Sequence, residues 1–102
     1  MVKLIALTAV KEFEKKAVEL FRKSSIPVWS VFNIDGFKNN PEDNLESNWF
    51  SGASHNVRSI MVFSFVDEEK IDVLTKELEK FNLTIESSNP IRLAVLNVEK
   101  FI

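Results

Sequence analysis

His55 is the only imidazole in the chain, and there is no cysteine to join it. A structural zinc site takes four ligands drawn from His and Cys, so a single copy cannot build one. A metal could be held only between His55 residues of symmetry-related copies, or with the carboxylates Glu42, Asp43 and Glu46; an ordinary loop histidine is the simpler reading. Ser54 stands next to His55, but a nucleophile needs a base placed against it in space. Adjacency along the chain does not supply that. Most other carboxylates fall on helical faces that water would cover. No catalytic residue and no resident metal is expected, and the chain is read as a protein that is not an enzyme. Phosphate chemistry is equally undersupplied. No Walker-type or GxGxxG loop occurs, and the only glycines are Gly36 and Gly52. What remains is anion recognition by Lys38, Arg58, Arg92 and Lys100. Arg58 opens the third strand-like run and Arg92 the fourth, so both could approach a subunit boundary. The alternative is that they are solvated charges at strand ends.

Several of these residues border or lie inside one stretch, residues 36–56, GFKNNPEDNLESNWFSGASHN. Hairpin loops usually take about 2–5 residues, so this one is far longer than its strands need. Long loops in compact domains tend to carry function. Leu45, Trp49 and Phe50 are large apolar groups in a polar setting. They could dock on their own domain, meet a neighbouring subunit, or anchor a partner. Together with His55 they are the candidate partner-binding residues.

The elements that would position this stretch follow from hydrophobic periodicity. Residues 2–7 form a short apolar run and predict a buried strand. Thr8 is placed to cap a helix over 9–23, whose apolar stripe is Val10, Phe13, Ala17, Leu20 and Phe21. Glu12 and Lys16 make a favourable pair on its outer face, and Pro27 forbids continuation. Residues 26–35 predict a second strand with apolar groups of both parities. One face would cover the helices and the other would meet either a second subunit or the chain's own elements. Residues 57–66 predict a third strand. Asp67 would cap a helix over 68–81 with Ile71, Leu74, Leu78 and Phe81 in one stripe. Leu83 and its neighbours up to residue 86 read as extended, and 91–98 as a fourth strand. The order β-α-β-β-α-β predicts an α+β, ferredoxin-like sandwich, with two helices on one face of an antiparallel sheet. It predicts one domain over 1–102. The uncovered sheet face favours oligomerisation.

Composition narrows the function classes. The net charge is −2, with 45% hydrophobic and 27% charged residues. Nucleic-acid binders usually carry a basic excess, so no nucleic-acid partner is expected. No run approaches the roughly 18 apolar residues of a membrane span. The opening residues read as a strand rather than a leader. A soluble, cytoplasmic protein without membrane insertion is the expectation.

Three segments together resemble the PII signal-transduction family. VWSVFNIDGFK is similar to that family's second strand running through Gly-Phe into its long T-loop. SIMVFSFVDEEKIDVLTKEL resembles its third strand, acidic helix start and second helix. NPIRLAVLNVEKFI resembles its Gly-Asp-Gly-Lys-Ile-Phe-Val…Val-Glu stretch without the glycines. The resemblance implies a homotrimer whose T-loops reach a protein partner, often a membrane transporter or an enzyme, as in the regulation of nitrogen use or metal efflux. It implies a small effector, typically an adenine nucleotide, in a cleft between subunits. By position Gly36, Phe37 and Lys38 match the T-loop start, and Arg92 falls where the family has its phosphate-contacting lysine. With Arg58 these are the candidate effector-binding residues. The chain departs from the pattern where Glu86, Ser87, Ser88, Asn89 and Pro90 replace the glycine-rich phosphate loop. The T-loop tyrosine is also missing. The resemblance therefore implies a divergent member whose ligand has been lost or changed.

Two other readings fit the same topology. A dimeric α+β-barrel enzyme would enclose a pocket lined by Trp29, Phe32, Trp49, Phe63 and His55. A metal-tolerance protein resembling the CutA family would share the trimeric plan, though that family's usual cysteine is missing.

Overall fold

The computed structural model describes residues 1–37, 56–85 and 89–102. Lys38, Leu45, Trp49, Phe50 and His55 lie outside them. The elements are β1 (Val2–Val10), a 3-10 turn (Lys11–Phe13), α1 (Glu14–Lys23), β2 (Ser30–Phe37), β3 (Asn56–Asp67), α2 (Glu68–Thr84) and β4 (Arg92–Asn97). The sheet runs β2-β3-β1-β4, and every neighbouring pair is antiparallel. This is the expected ferredoxin-like α+β sandwich.

Alternation along the central strands sorts the side chains into two faces. Ile5, Leu7 and Ala9 of β1 lie in register with Ser64, Val62 and Ile60 of β3. All six are buried against Ala17, Leu20 and Phe21 of α1 and Ile71, Leu74 and Leu78 of α2. Each fully buried large aliphatic or aromatic side chain contributes about 1.5–3 kcal/mol. The helices meet through Phe13 and Phe81, whose rings stand edge to face at 5.4 Å. Lys16 Nζ lies 5.2 Å from the centre of the Phe81 ring. Trp29 packs on Phe21 at 5.8 Å.

The other sheet face carries no helix. Its rows run Phe32, Met61, Thr8, Arg92; then Ser30, Phe63, Ala6, Ala94; then Phe65, Leu4, Leu96. Phe32 and Phe63 touch at 6.0 Å, and Phe32, Phe65 and Leu96 are 44%, 48% and 46% exposed. Arg92 is the one charged side chain in these rows.

The structure moves several expected boundaries. β1 runs three residues past Leu7, because Thr8, Ala9 and Val10 continue the ladder to Met61, Ile60 and Ser59. Thr8 is thus a buried strand residue, and the N-cap of the 3-10 turn falls on Val10 instead. Val10 ends the strand instead of joining the helical stripe. Ile26 is buried ahead of β2 rather than within it, and Val28 is 73% exposed. Asp67 occupies the N-cap position of α2 without a side-chain cap. The Glu68 N–H donates instead to the Met1 carbonyl at 3.2 Å. Leu83 and Thr84 are helical, not extended, and β4 is trimmed by one residue at each end. Lys16 pairs with Glu19 at 3.3 Å rather than with Glu12.

Helix α1 ends in a Schellman motif. Ser25 has φ 58°. Its N–H donates to Arg22 O at 3.0 Å, and Ile26 N–H donates to Phe21 O at 3.1 Å. The reversal delivers Ile26 into the core.

Candidate functional site at the base of residues 38–55

The β2–β3 ladder closes at Asp35↔Arg58, Gly36↔Val57 and Phe37↔Asn56. Gly36 and Phe37 are therefore strand residues, and the connection narrows from the expected 36–56 to 38–55. Gly36 is buried opposite Val57, while Phe37 is 67% exposed.

A cleft of about 310 Å³ opens beside this ladder, lined by Lys11, Asn33, Ile34, Asp35, Arg58 and Ser59. Lys11 Nζ donates to Asn33 Oδ1 at 2.7 Å and lies 2.8 Å from Glu14 Oε1. It ties the start of the first helix to the edge strand that leads into residues 38–55. Ser59 is buried, and its hydroxyl donates to Val57 O at 3.2 Å. The lining holds two cations and one carboxylate. Such a set suits a small anion that also offers a hydrogen-bond donor to Asp35.

Arg58 and Arg92, both named as anion-recognition candidates, stand on opposite faces of the sheet within one protomer. Arg58 shares the parity of Ile60 and Val62, on the helix side. Arg92 lies in the row of Thr8 and Met61, on the open side. Both are exposed, as is Lys100. Of the enzyme-pocket candidates among the described residues, Phe32 and Phe63 touch on the open face, while Trp29 packs on Phe21 at the core and also borders, with Phe63, a slot at the β2 edge. Among the described residues no cluster of three or more His, Cys, Asp or Glu could hold a metal ion. No described helix is long and apolar enough to cross a membrane.

Lys11, Asn33 and Asp35 were not candidates from the sequence. The helix expected over 9–23 leaves Lys11 off its apolar stripe. Only the longer first strand and the 3-10 turn after it carry this lysine to the cleft.

No family model and no curated protein matches the sequence. Solved structures do. CPII from Thiomonas intermedia K12, a nitrogen regulatory PII-like protein bound to ADP, AMP and bicarbonate, aligns with a TM-score of 0.64. The match covers 99% of this chain and 96% of that one at 15% identity. The fold is that of the PII-like proteins. The apo form of CPII aligns at TM-score 0.60 and 13% identity, over 95% of this chain and 90% of that one. A candidate PII-like signalling protein from Thermus thermophilus gives 0.62 and 17%, over 95% and 86%.

Proposed function

We propose that this chain is a PII-like regulatory protein, not an enzyme, and works as a single-domain homotrimer. It presents residues 38–55 to a protein partner, such as a membrane transporter, and responds to a small anionic effector bound at the base of that segment. The observation that carries the reading is the likeness to CPII over 99% of the chain. Two features of the molecule support it. The open sheet face is mostly apolar, with Arg92 at one edge, and such a face loses least by being covered with more apolar surface. The cleft at the base of 38–55 is lined by Lys11 and Arg58, next to Gly36 and Phe37, where the resemblance places the start of the T-loop. Arg92, on the open face, would reach an effector only across a subunit boundary.

CPII is described with ADP, AMP and bicarbonate. Adenine nucleotides and bicarbonate are therefore the effectors to test. Residues 86–90 carry no glycine, which argues for a ligand with fewer phosphates than ATP. The test joins light scattering with calorimetry. A mass three times the protomer's, with saturable binding of ADP, AMP or bicarbonate, supports the reading. A monomer that binds none of them would refute it. The cellular setting that fits this role is the cytoplasm.

A further inference from the structure

The end of the open sheet face remote from residues 38–55 is apolar from edge to edge. Register sets Leu96 of β4 opposite Leu4 of β1, and Leu4 opposite Phe65 of β3. Val28 precedes β2, two residues before Ser30, and borders the same slot as Phe65. The Val28 carbonyl is held there by the Ser64 hydroxyl, which donates to it. With Val28 at its β2 edge, the row reads Val28, Phe65, Leu4, Leu96. After β4 the chain turns back over this face, and the Phe101 ring lies 5.2 Å from that of Phe65.

At the β2 edge of the row, Val28, Phe65 and Phe101, with Trp29, Ser30 and Phe63, line a slot of about 220 Å³. An apolar cavity of roughly 150 Å³ admits benzene, so the slot has room for one large apolar side chain. At the β4 edge of the same row stands Leu96, 46% exposed.

We propose that these two edges meet between copies of the chain. Leu96 of one copy seats in the Val28–Phe65–Phe101 slot of the next. The inference rests on the trimeric reading above and names the contact that builds it. A closed ring uses heterologous contacts, in which one surface meets a different surface of the neighbour. A slot at one sheet edge and a knob at the other make such a pair. They share a row, so rotation about an axis along the strands brings them to the same height. All four residues of the row are apolar, so the contact strips no charge of water. Phe101, 60% exposed on its own protomer, becomes a wall of the filled slot.

The chain has no cysteine, so introduced pairs report on one contact at a time. In a single protomer β2 and β4 are separated by three strand spacings, about 14 Å. That exceeds the roughly 7 Å between Cα atoms that a disulfide can span. V28C/L96C should therefore cross-link only between copies, and oxidation is expected to give a covalent trimer on a non-reducing gel. V28C/V73C, with the second cysteine on the outer face of α2, should not. As a readout free of cysteine, L96A and F101A should each raise the trimer dissociation constant by about tenfold or more. A wild-type trimer that V28C/L96C fails to lock, or that neither alanine variant weakens, overturns the slot and leaves the trimeric reading standing. A wild-type monomer overturns both.

Discussion

Lys11 Nζ donates to Asn33 Oδ1 at 2.7 Å across 22 residues of sequence. The bond joins the turn that starts the helical layer to the strand that enters residues 38–55. Its partners are exposed, so it contributes little to stability, within about 0.5 kcal/mol. Its use lies in where it holds a positive charge.

Replacing Lys11 or Arg58 by alanine should weaken binding of bicarbonate or ADP by about tenfold each, since a hydrogen bond to a charged group is worth roughly 1.5–3 kcal/mol. The salt dependence of binding should fall as well. Calorimetry at two ionic strengths checks this, and thermal unfolding should stay within a few degrees of wild type. Unchanged affinity in both variants would remove the cleft from the effector site.

Ser25 holds the left-handed conformation at the end of α1, where glycine is the usual residue. An L-residue there costs roughly 1–2 kcal/mol, and glycine gives part of that back in chain entropy. Ser25→Gly should raise stability by up to about 1 kcal/mol. Urea unfolding measures it, and a loss of stability would contradict the Schellman assignment.

Asn82 makes the two bonds to Ile91 that a neighbouring strand residue would make. Its Nδ2 donates to Ile91 O at 2.9 Å, and its Oδ1 accepts from Ile91 N at 3.0 Å. Ile91 is only 2% exposed, so losing the carboxamide strands two shielded backbone groups. Asn82→Ala should cost about 1–3 kcal/mol. At this chain length that lowers Tm by roughly 4–8 °C per kcal/mol. Asn82→Asp should restore the bond from Ile91 N–H but not the bond to its carbonyl. Calorimetric melting that ranks the aspartate variant between wild type and alanine would bear this out.

Phe32 lies on the open face with its ring against Phe63. If that face is shared between copies, Phe32→Glu would bury an unpaired carboxylate at a cost of several kcal/mol. The same side chain in a free protomer would stay half in water. Light scattering should find a folded monomer, with circular dichroism unchanged. A trimer that survives this substitution would place Phe32 outside the subunit contact.

Much of the architecture was legible because burial imposes a period. Ala17, Leu20 and Phe21, and Ile71, Leu74 and Leu78, fall into stripes at helical spacing, and each lies in the core. The boundaries were less legible. The β1 ladder continues through Val10 because β3 reaches back to Ser59 to pair with it. That partner is distant in sequence, and no local propensity records it. Leu83 reads as strand by itself, but here it lies in the last turn of a helix and is 87% exposed.

The candidate site divides in the same way. The sequence marked Gly36, Phe37 and Arg58 as neighbours of a long connection, and the ladder gathers them. It also marked Arg58 and Arg92 as strand-opening cations without saying which face each takes, and the sheet sets them on opposite faces, because residue parity and register together decide where a strand side chain points. Lys11 joins the site only through tertiary structure.

The sequence by itself determined the order of elements, the two helical stripes and the presence of one long connection. Those features depend on spacings of two, three and four residues that a chain carries within itself. Only the tertiary structure decided that Lys11 stands over Asn33, that Trp29 belongs to the core, and that Val28 and Leu96 end one apolar row. Each of these depends on which strands lie side by side and in what register, a choice made by packing the whole sheet at once.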